Sequence, residues 1–323
     1  MPSATSTEPP ARVEAAVRRR PLVLYIGGAG RSGSTLVEML LANLTGFVPI
    51  GEARFFWEYV RDGGHRCGCR EPLVGCAAWE PVVRALSASR EVDMAEAARL
   101  ARSLDRTRTL LLPWRRSADG GYRKLAGFTA TLYETIWRLG GAGVIVDSSK
   151  VPSHLRLLEA GGRVDLRVLH LVRDGRAVAH SWSRRSKREV VTDAPGPPLP
   201  RRSILSGMAR WVVENAATES LCRQGLRHTT MRFEELAVEP ASTLAAALVS
   251  LGLEAAAARL TELGGSLRTA ATHGIGGNPV RFAPARPVDP SEATKWRREM
   301  PRAAAWSLGC LVAPLLWRYG YEI

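Results

Sequence analysis

Short apolar runs that end in glycine or in polar residues indicate buried β-strands at four places. They cover residues 23–26, 143–147, 165–172 and 228–233. The third run is almost continuously apolar, which is typical of a parallel strand covered on both faces. Between the runs, apolar residues recur at helical spacing, as at Leu36, Leu40 and Leu44. Strands that alternate with helices predict an α/β fold in which a central, mainly parallel sheet lies between layers of helices.

Longer helical patterns and two polar segments complete the prediction. Helices are expected at residues 79–107, 121–139, 152–161, 175–185, 203–225, 240–251 and 306–319. Residues 187–202 contain four prolines and are expected to form a mobile surface loop. Residues 1–20 offer little apolar surface to bury and are expected to form a flexible tail. Residues 21–323 show no internal repeat and are predicted to form a single domain.

The apolar segments do not predict secretion or a membrane span. Arginines at positions 18–20 precede the apolar residues 21–26, but glycines and Arg31 interrupt this apparent signal peptide. The apolar stretch at 306–317 is about a dozen residues long. Since a bilayer requires roughly 20, this stretch is expected to be a buried helix. A cytoplasmic location is therefore expected.

The chain is strongly basic, with a formal net charge of +14, which suits an anionic ligand. Only four of its 45 basic residues are lysines, so the excess charge is carried by arginine. An excess of arginine spread along the chain is interpreted as a generally basic surface. The sequence has no basic stretch interleaved with aromatic residues, which is the pattern typical of nucleic-acid binding. Nucleic acid is therefore not expected as a partner.

Five cysteines, an odd number, in a chain without a secretory signal argue against a disulfide scaffold. Three of them, Cys67, Cys69 and Cys76, lie close together in the chain with His65 nearby. Zinc uses such ligands, but the spacing lacks the paired Cys-x-x-Cys arrangement of common zinc sites. No metal is therefore predicted, and the thiols are interpreted as structural or as a redox-sensitive local pair.

A glycine-rich loop at residues 28–35 follows the first strand and opens the first helix. Backbone N–H groups and the helix dipole converge on an anion at such a turn. The loop matches the Gly-x-Gly-x-x-Gly pattern of dinucleotide-binding proteins, and in that interpretation Glu52 would bind the ribose. The loop is also similar to the P-loop of nucleotide triphosphatases. In that P-loop a lysine bridges the phosphates, whereas Ser34 stands here, which disfavours kinase chemistry.

A second candidate anion site follows the third strand. Arg173 stands at the end of this strand, and Ser181 lies two turns into the next helix. A guanidinium donates bidentate hydrogen bonds to phosphate oxygens, so this pair suits a second phosphate on the same nucleotide.

The two motifs, in this order, resemble the donor site of sulfotransferases that use 3′-phosphoadenosine-5′-phosphosulfate (PAPS), with most similarity to the bacterial and tyrosylprotein-type branch. The resemblance implies a P-loop-like fold. It further implies that Arg173 and Ser181 bind the 3′-phosphate of the donor. The residues implied for the 5′-phosphosulfate are Gly30, Arg31, Ser32, Gly33, Ser34 and Thr35.

Later segments extend the resemblance over most of the chain. Residues 273–281 are similar to the donor-closing loop of bacterial members, which implies that Gly277, Asn278 and Arg281 contact the donor. The segment from Cys67 to Trp79 is also similar to bacterial relatives, without an implied catalytic role.

Sulfuryl transfer is an in-line displacement that requires no metal, so side chains must remove the acceptor's proton and stabilise charge on the leaving phosphate. Arg31 and Lys150 are predicted to stabilise that charge. Lys150 aligns by context with a catalytic lysine of the tyrosylprotein-type branch, and Glu52 aligns with its general base. Many cytosolic relatives use a histidine instead, but no histidine here has the matching context.

The predicted function is therefore sulfuryl transfer from PAPS to a hydroxyl or amine of an unidentified small-molecule or peptide acceptor. A P-loop kinase, a nicotinamide-dependent oxidoreductase and a non-catalytic nucleotide- or nucleic-acid-binding protein stay open as alternatives. Acceptor choice is expected to depend on residues 55–80 and 187–202. The oligomeric state is left open.

Overall fold

A computed structural model describes residues 20–107, 120–141, 143–184 and 201–323. The predicted tail, apart from its last residue, and residues 187–200 of the predicted loop lie outside the described residues. Within the described ranges, no helix is long and apolar enough to cross a membrane.

Five parallel strands form one central sheet in the order β2-β3-β1-β4-β5. The strands are β1 Leu22–Gly27, β2 Phe47–Gly51, β3 Val144–Lys150, β4 Asp165–Val172 and β5 Arg227–Arg232. This arrangement confirms the predicted parallel sheet. No predicted strand corresponds to β2, because Pro49 interrupts its apolar pattern. Proline lacks a backbone N–H donor and is tolerated at a sheet edge, where β2 lies.

Helices connect the strands and cover both faces of the sheet. They are α1 Ser34–Leu41, α2 Phe56–Asp62, α3 Glu80–Ala88, α4 Met94–Leu104, α5 Gly120–Gly140, α6 Pro152–Gly161, α7 Gly175–Ser183, α8 Ile204–Cys222, α9 Phe233–Val238, α10 Pro240–Ser250, α11 Glu254–Leu263, α12 Ser291–Thr294, α13 Trp296–Glu299, α14 Arg302–Leu311 and α15 Ala313–Arg318. Short 3₁₀ turns lie at Ala53–Phe55, Leu73–Gly75, Gly264–Ser266 and Pro279–Phe282.

The core has a layer on each face of the sheet, as alternation along β1 requires. Val23 and Tyr25 pack on one face with residues of α3, α4, α5 and α6. Leu24 and Ile26 pack on the other face with α1, α10 and α11. The three-layer α/β prediction is therefore confirmed.

Two predicted helices are wrong in their extent. The helix predicted at 79–107 is broken into α3 and α4, because Asp93 accepts a hydrogen bond from the backbone N–H of Glu96 and so caps a new helix. The helix predicted at 306–319 is divided at Val312. It is also not fully buried, since Trp306 and Trp317 are 64% and 63% exposed.

A buried polar network joins the end of α4 to α6. The Asp105 carboxylate accepts hydrogen bonds from Ser153 Oγ at 2.6 Å and pairs with His154 Nδ1 at 2.8 Å. His154 also contacts Tyr133, which donates to Asp147 on β3. Because all these side chains are buried, the network fixes α6 against the sheet and gives His154 a structural role.

Asp105→Ala is expected to lower the free energy of unfolding by about 3 kcal/mol, because it leaves buried Ser153 and His154 without their acceptor. Asp93→Ala, which removes only an exposed helix cap, is expected to cost about 1 kcal/mol and serves as the control. Urea denaturation followed by circular dichroism measures both. Equal costs for the two variants would contradict the structural role of the network.

Candidate active site

The loop between β1 and α1 has a backbone that only glycine or strained residues adopt. Gly28 and Gly33 have φ values of 128° and 99°. A side chain at Gly28 would meet Leu171 O at 2.4 Å, and one at Gly33 would meet the Phe233 ring at 2.4 Å. The two glycines therefore allow the loop to lie against β4 and α9 at the amino end of α1.

One backbone donor of the loop is already bound to the protein. The N–H of Gly30 donates to Glu214 on α8 at 3.2 Å, and Glu214 pairs with Arg210 at 2.6 Å. A side chain at Gly30 would meet the Trp182 ring at 3.1 Å. Because Gly30 has no side chain, the loop can pack closely against α7 and α8. Ser32, Ser34 and Thr35 follow Gly30 at buried positions.

Arg31 is held in place by an aromatic ring. Its φ of 74° is unusual for a residue with a side chain, and its guanidinium lies 4.8 Å from the centre of the Trp182 ring. Burial lowers the pKa of Arg31, and the negative charge of Glu52 opposes this effect. The loop therefore carries a partly desolvated cation.

Arg173, at the end of β4, lies beside the same loop. It donates to the carbonyl oxygens of Arg31 at 3.4 Å and of Glu292 at 2.5 Å, and its guanidinium lies 4.3 Å from the centre of the Phe233 ring. Its Nε is buried without a hydrogen-bond partner among the described residues. Ser181 is half-buried on α7, next to the Trp182 that packs on the loop.

Glu52 and Lys150 form an ion pair at the ends of two neighbouring strands. Lys150 Nζ lies 2.6 Å from Glu52 Oε1, and both side chains are largely buried, 11% and 13% exposed. Lys150 has a φ of 70°, and its carbonyl accepts the N–H of Gly28 at 3.1 Å. Two of the three predicted catalytic residues, Glu52 and Lys150, therefore meet at the start of the loop.

The segment 272–281 closes the site from the side of β2. The N–H of Glu52 donates to Ile275 O at 2.6 Å, and the N–H of Asn278 donates to Thr35 Oγ1 at 3.3 Å. A side chain at Gly277, whose φ is 85°, would meet Thr35 Oγ1 at 3.3 Å. Arg281 lies 9% exposed on the 3₁₀ turn that follows. Its Nη2 donates to Arg66 O at 3.0 Å, whereas Nε and Nη1 are buried and have no hydrogen-bond partner among the described residues.

A buried carboxyl lies under this segment. Glu38, on α1, accepts hydrogen bonds from Ser148 Oγ at 2.7 Å and from Thr272 Oγ1 at 3.3 Å. Burial raises its pKa from 4.5 to about 7, although these hydrogen bonds and the charge of Arg281 act in the opposite direction. Ionisation of Glu38 is therefore costly in the folded protein.

The three clustered cysteines meet a histidine that sequence spacing does not indicate. Cys67, Cys69 and Cys76 gather around Nδ1 of His273, and the four ligand atoms all lie within 4.8 Å of one another. His65, the histidine near these cysteines in the sequence, is not part of the cluster, and its ring stacks on Tyr59 with centroids 3.6 Å apart.

Comparison with known protein families identifies the family of the chain. The family model described as "Sulfotransferase family" matches residues 21–257, which is most of the chain. The chain belongs to the sulfotransferase family. No curated protein matched the sequence.

Solved structures show that this sulfotransferase shares the fold of a bacterial relative. The sulfotransferase domain from the Synechococcus PCC 7002 olefin synthase is 21% identical, with a TM-score of 0.52 over 95% of this chain and 98% of that one. The sulfotransferase domain from the curacin biosynthetic pathway is 17% identical, with a TM-score of 0.49 over 95% and 100% of the two chains. STF9 from Mycobacterium avium is 12% identical, with a TM-score of 0.49 over 96% and 80%. The similarity to the olefin synthase domain shows the shared fold.

Four residues that shape the site of this sulfotransferase are not predicted from the sequence. They are Trp182, Glu214, Phe233 and His273. Each reaches the site from a distant part of the chain. Glu214 alone carries a local signal, because a carboxylate within a largely apolar helix requires a buried partner.

Glu38→Gln tests the cost of the buried carboxylate. Folding raises the pKa of the Glu38 carboxyl from 4.5 to about 7. Ionisation of this carboxyl therefore destabilises the native protein increasingly as the pH rises through this range, and the destabilisation is complete above it. The amide variant avoids a cost of roughly 3 kcal/mol at high pH. Its melting temperature relative to the unsubstituted protein is therefore expected to rise between about pH 5 and pH 8.

Glu254→Gln, at the exposed start of α11, is the control, and its relative melting temperature is expected to change little over this range. Thermal unfolding at a series of pH values measures both variants. A relative melting temperature of Glu38→Gln that falls with rising pH would contradict the assignment.

Proposed function

We propose that this sulfotransferase moves a sulfuryl group from PAPS to a hydroxyl or amine of an acceptor that is a small molecule or a peptide. The observation that carries the proposal is the 3.4 Å contact between Arg173 and the carbonyl of Arg31. It joins an arginine at the end of β4 to the glycine-rich loop at the end of β1, and we infer an anion site at each of them. Two adjacent anion sites suit a nucleotide with phosphates at both its 3′ and 5′ positions.

The buried cations of the site fit such a donor. Burial lowers the pKa of Arg173 and of Arg281, and each of them has buried donor groups without a hydrogen-bond partner among the described residues. Burying an unpaired donor is unfavourable, so these groups are suited to phosphate oxygens. We assign Arg173 and Ser181 to the 3′-phosphate. The residues assigned to the 5′-phosphosulfate are Gly30, Arg31, Ser32, Gly33, Ser34 and Thr35, with Gly277, Asn278 and Arg281 closing over the donor.

The bound donor would supply an activated sulfuryl group whose leaving phosphate gains negative charge. Arg31 and Lys150 lie at the loop and are assigned to stabilise this charge. Glu52 is assigned as the base that accepts the acceptor's proton. Its ion pair with Lys150 and the backbone hydrogen bond to Ile275 hold the carboxylate in one orientation.

An aromatic surface beside Glu52 is proposed to receive the acceptor. Phe55 lies one helical turn from Glu52, and its ring stacks on Tyr59 with centroids 5.3 Å apart. Arg54 lies over the Phe55 ring at 4.7 Å. Phe55 and Tyr59 belong to the segment 55–80, on which acceptor choice is expected to depend.

Arg31→Ala and Arg173→Ala are each expected to weaken binding of adenosine 3′,5′-bisphosphate by about 100-fold or more, because each removes a charge-assisted contact to phosphate. Arg259→Ala, which removes an exposed arginine on α11 that pairs with Glu262 at the surface, is the matched control and should bind normally. Isothermal titration calorimetry measures the three dissociation constants. Unchanged affinity in both site variants would overturn the donor assignment.

Glu52→Gln is expected to bind adenosine 3′,5′-bisphosphate normally and to transfer sulfuryl groups about 100-fold to 10,000-fold more slowly, since the amide cannot accept a proton. Transfer is measured by offering ³⁵S-labelled PAPS and an extract of the source organism to the enzyme and quantifying the labelled product. A rate close to that of the unsubstituted enzyme would exclude Glu52 as the base.

The alternative of a P-loop kinase receives no support from the family match. A kinase would bind ATP in a Mg²⁺-dependent manner. Thermal stabilisation by ATP that requires Mg²⁺, without stabilisation by adenosine 3′,5′-bisphosphate, would favour that alternative.

A further inference from the structure

We propose that Cys67, Cys69, Cys76 and His273 bind a structural Zn²⁺ ion that ties residues 67–76, the cysteine loop, to the segment 272–281. Three sulfurs and an imidazole nitrogen within 4.8 Å of one another form a complete set of four zinc ligands. No position is left open for a reacting water, so the site is structural rather than catalytic.

Four of the six distances between the ligand atoms match the edges of a tetrahedron around zinc. Bond lengths of ~2.3 Å to sulfur and ~2.0–2.1 Å to nitrogen imply edges of about 3.8 Å between two sulfurs and about 3.6 Å between sulfur and nitrogen. Cys76 Sγ lies 3.5 Å from the sulfurs of both Cys67 and Cys69. His273 Nδ1 lies 3.7 Å from Cys67 Sγ and 3.3 Å from Cys76 Sγ. All four distances agree with those edges to within about 0.3 Å.

Backbone N–H groups reach two of the sulfurs, although burial raises the pKa of both the Cys67 and the Cys76 thiol. The N–H of Cys69 donates to Cys67 Sγ, and the N–H groups of Ala78 and Trp79 donate to Cys76 Sγ. Outer hydrogen bonds of this kind orient the ligands of a metal site and stabilise their negative charge. On binding Zn²⁺, each thiol would lose its proton to solvent and the imidazole would bind as the neutral ring.

The ligand set joins two segments that already meet closely. Gly68 N–H donates to Gly274 O at 3.0 Å, and a side chain at Gly68 would lie 2.1 Å from Thr272 O. Trp79 Nε1 donates to His273 O at 2.6 Å. Zinc at this position would lock the cysteine loop onto the segment that contacts Thr35 and Glu52.

A disulfide explains fewer of these contacts. It would pair two of the three sulfurs at ~2.05 Å and leave the third sulfur and the imidazole without a role. The zinc site uses all four groups and requires no oxidant.

The first test is the metal content of the full chain, purified with a reductant and with any affinity tag removed, then offered Zn²⁺ and desalted. We expect one zinc per chain by plasma mass spectrometry. Cys69→Ser and His273→Ala, at the two more exposed ligand positions, are each expected to lose it. Cys222→Ser and Cys310→Ser, which lie on α8 and α14, are the matched controls and are expected to retain it.

Replacement of zinc by Co²⁺ in the unsubstituted protein gives a readout that does not depend on how the variants fold. Thiolate ligands in a tetrahedral site produce intense visible bands and a sulfur-to-cobalt charge-transfer band. Reduced protein that binds neither metal would overturn the proposal. A disulfide among these cysteines in protein purified without a reductant, together with no metal, would support the redox interpretation instead.

A consequence of the site rests on the proposed function. Because the segment 272–281 carries Gly277, Asn278 and Arg281, removal of zinc by a chelator is expected to raise the dissociation constant for adenosine 3′,5′-bisphosphate at least tenfold. If the proposed function is wrong, adenosine 3′,5′-bisphosphate will not bind with or without zinc. If only the zinc proposal is wrong, the purified chain will contain no zinc and the nucleotide will still bind. Nucleotide binding that is unaffected by zinc removal would overturn the link between the two sites.

Discussion

The parallel pairing of β1 with β3 on one side and β4 on the other is the constraint on which the rest of the site depends. Gly27 at the end of β1 lies opposite Lys150 of β3 and His170 of β4. This register brings the loop after β1, the strand end at Lys150 and the strand end before Arg173 to one edge of the sheet. Parallel strands present their carboxyl ends together, so residues far apart in sequence share one site. The apolar layers on both faces of β1 fix that register.

A second feature is that three arginines around this loop lie against aromatic rings. Arg31, Arg173 and Arg281 each lie within 5 Å of the centre of an aromatic ring: Trp182, Phe233 and Phe282, respectively. The planar guanidinium is weakly hydrated and stacks on such rings, so it can be buried with less cost than an ammonium. The rings orient the cations before any anion arrives. This preorganisation reduces the ordering that donor binding would require.

Sequence patterns predicted the sheet and its flanking layers because buried parallel strands leave a continuous apolar signal. They missed β2, whose proline obscures that signal, and the break between α3 and α4, where a capping aspartate outweighs the helical pattern. Glu52 and Lys150 were each predicted separately, but their ion pair depends on β2 lying beside β3 and could not be predicted. His273 was missed for the same reason, since its approach to the cysteines depends on a loop contact across about 200 residues. The sequence indicated which residue types to expect in the site, but it did not indicate which distant segments of the chain contact one another.

The central claim is that the site recognises a nucleotide phosphorylated at both its 5′ and 3′ positions. Calorimetric titration of the unsubstituted protein with adenosine 3′,5′-bisphosphate and with adenosine 5′-monophosphate tests it most directly, because the two ligands differ only in the phosphate assigned to Arg173 and Ser181. The account predicts that the bisphosphate binds without Mg²⁺ and about 100-fold more tightly than the monophosphate. Equal affinity for the two nucleotides, or binding of neither, would contradict it.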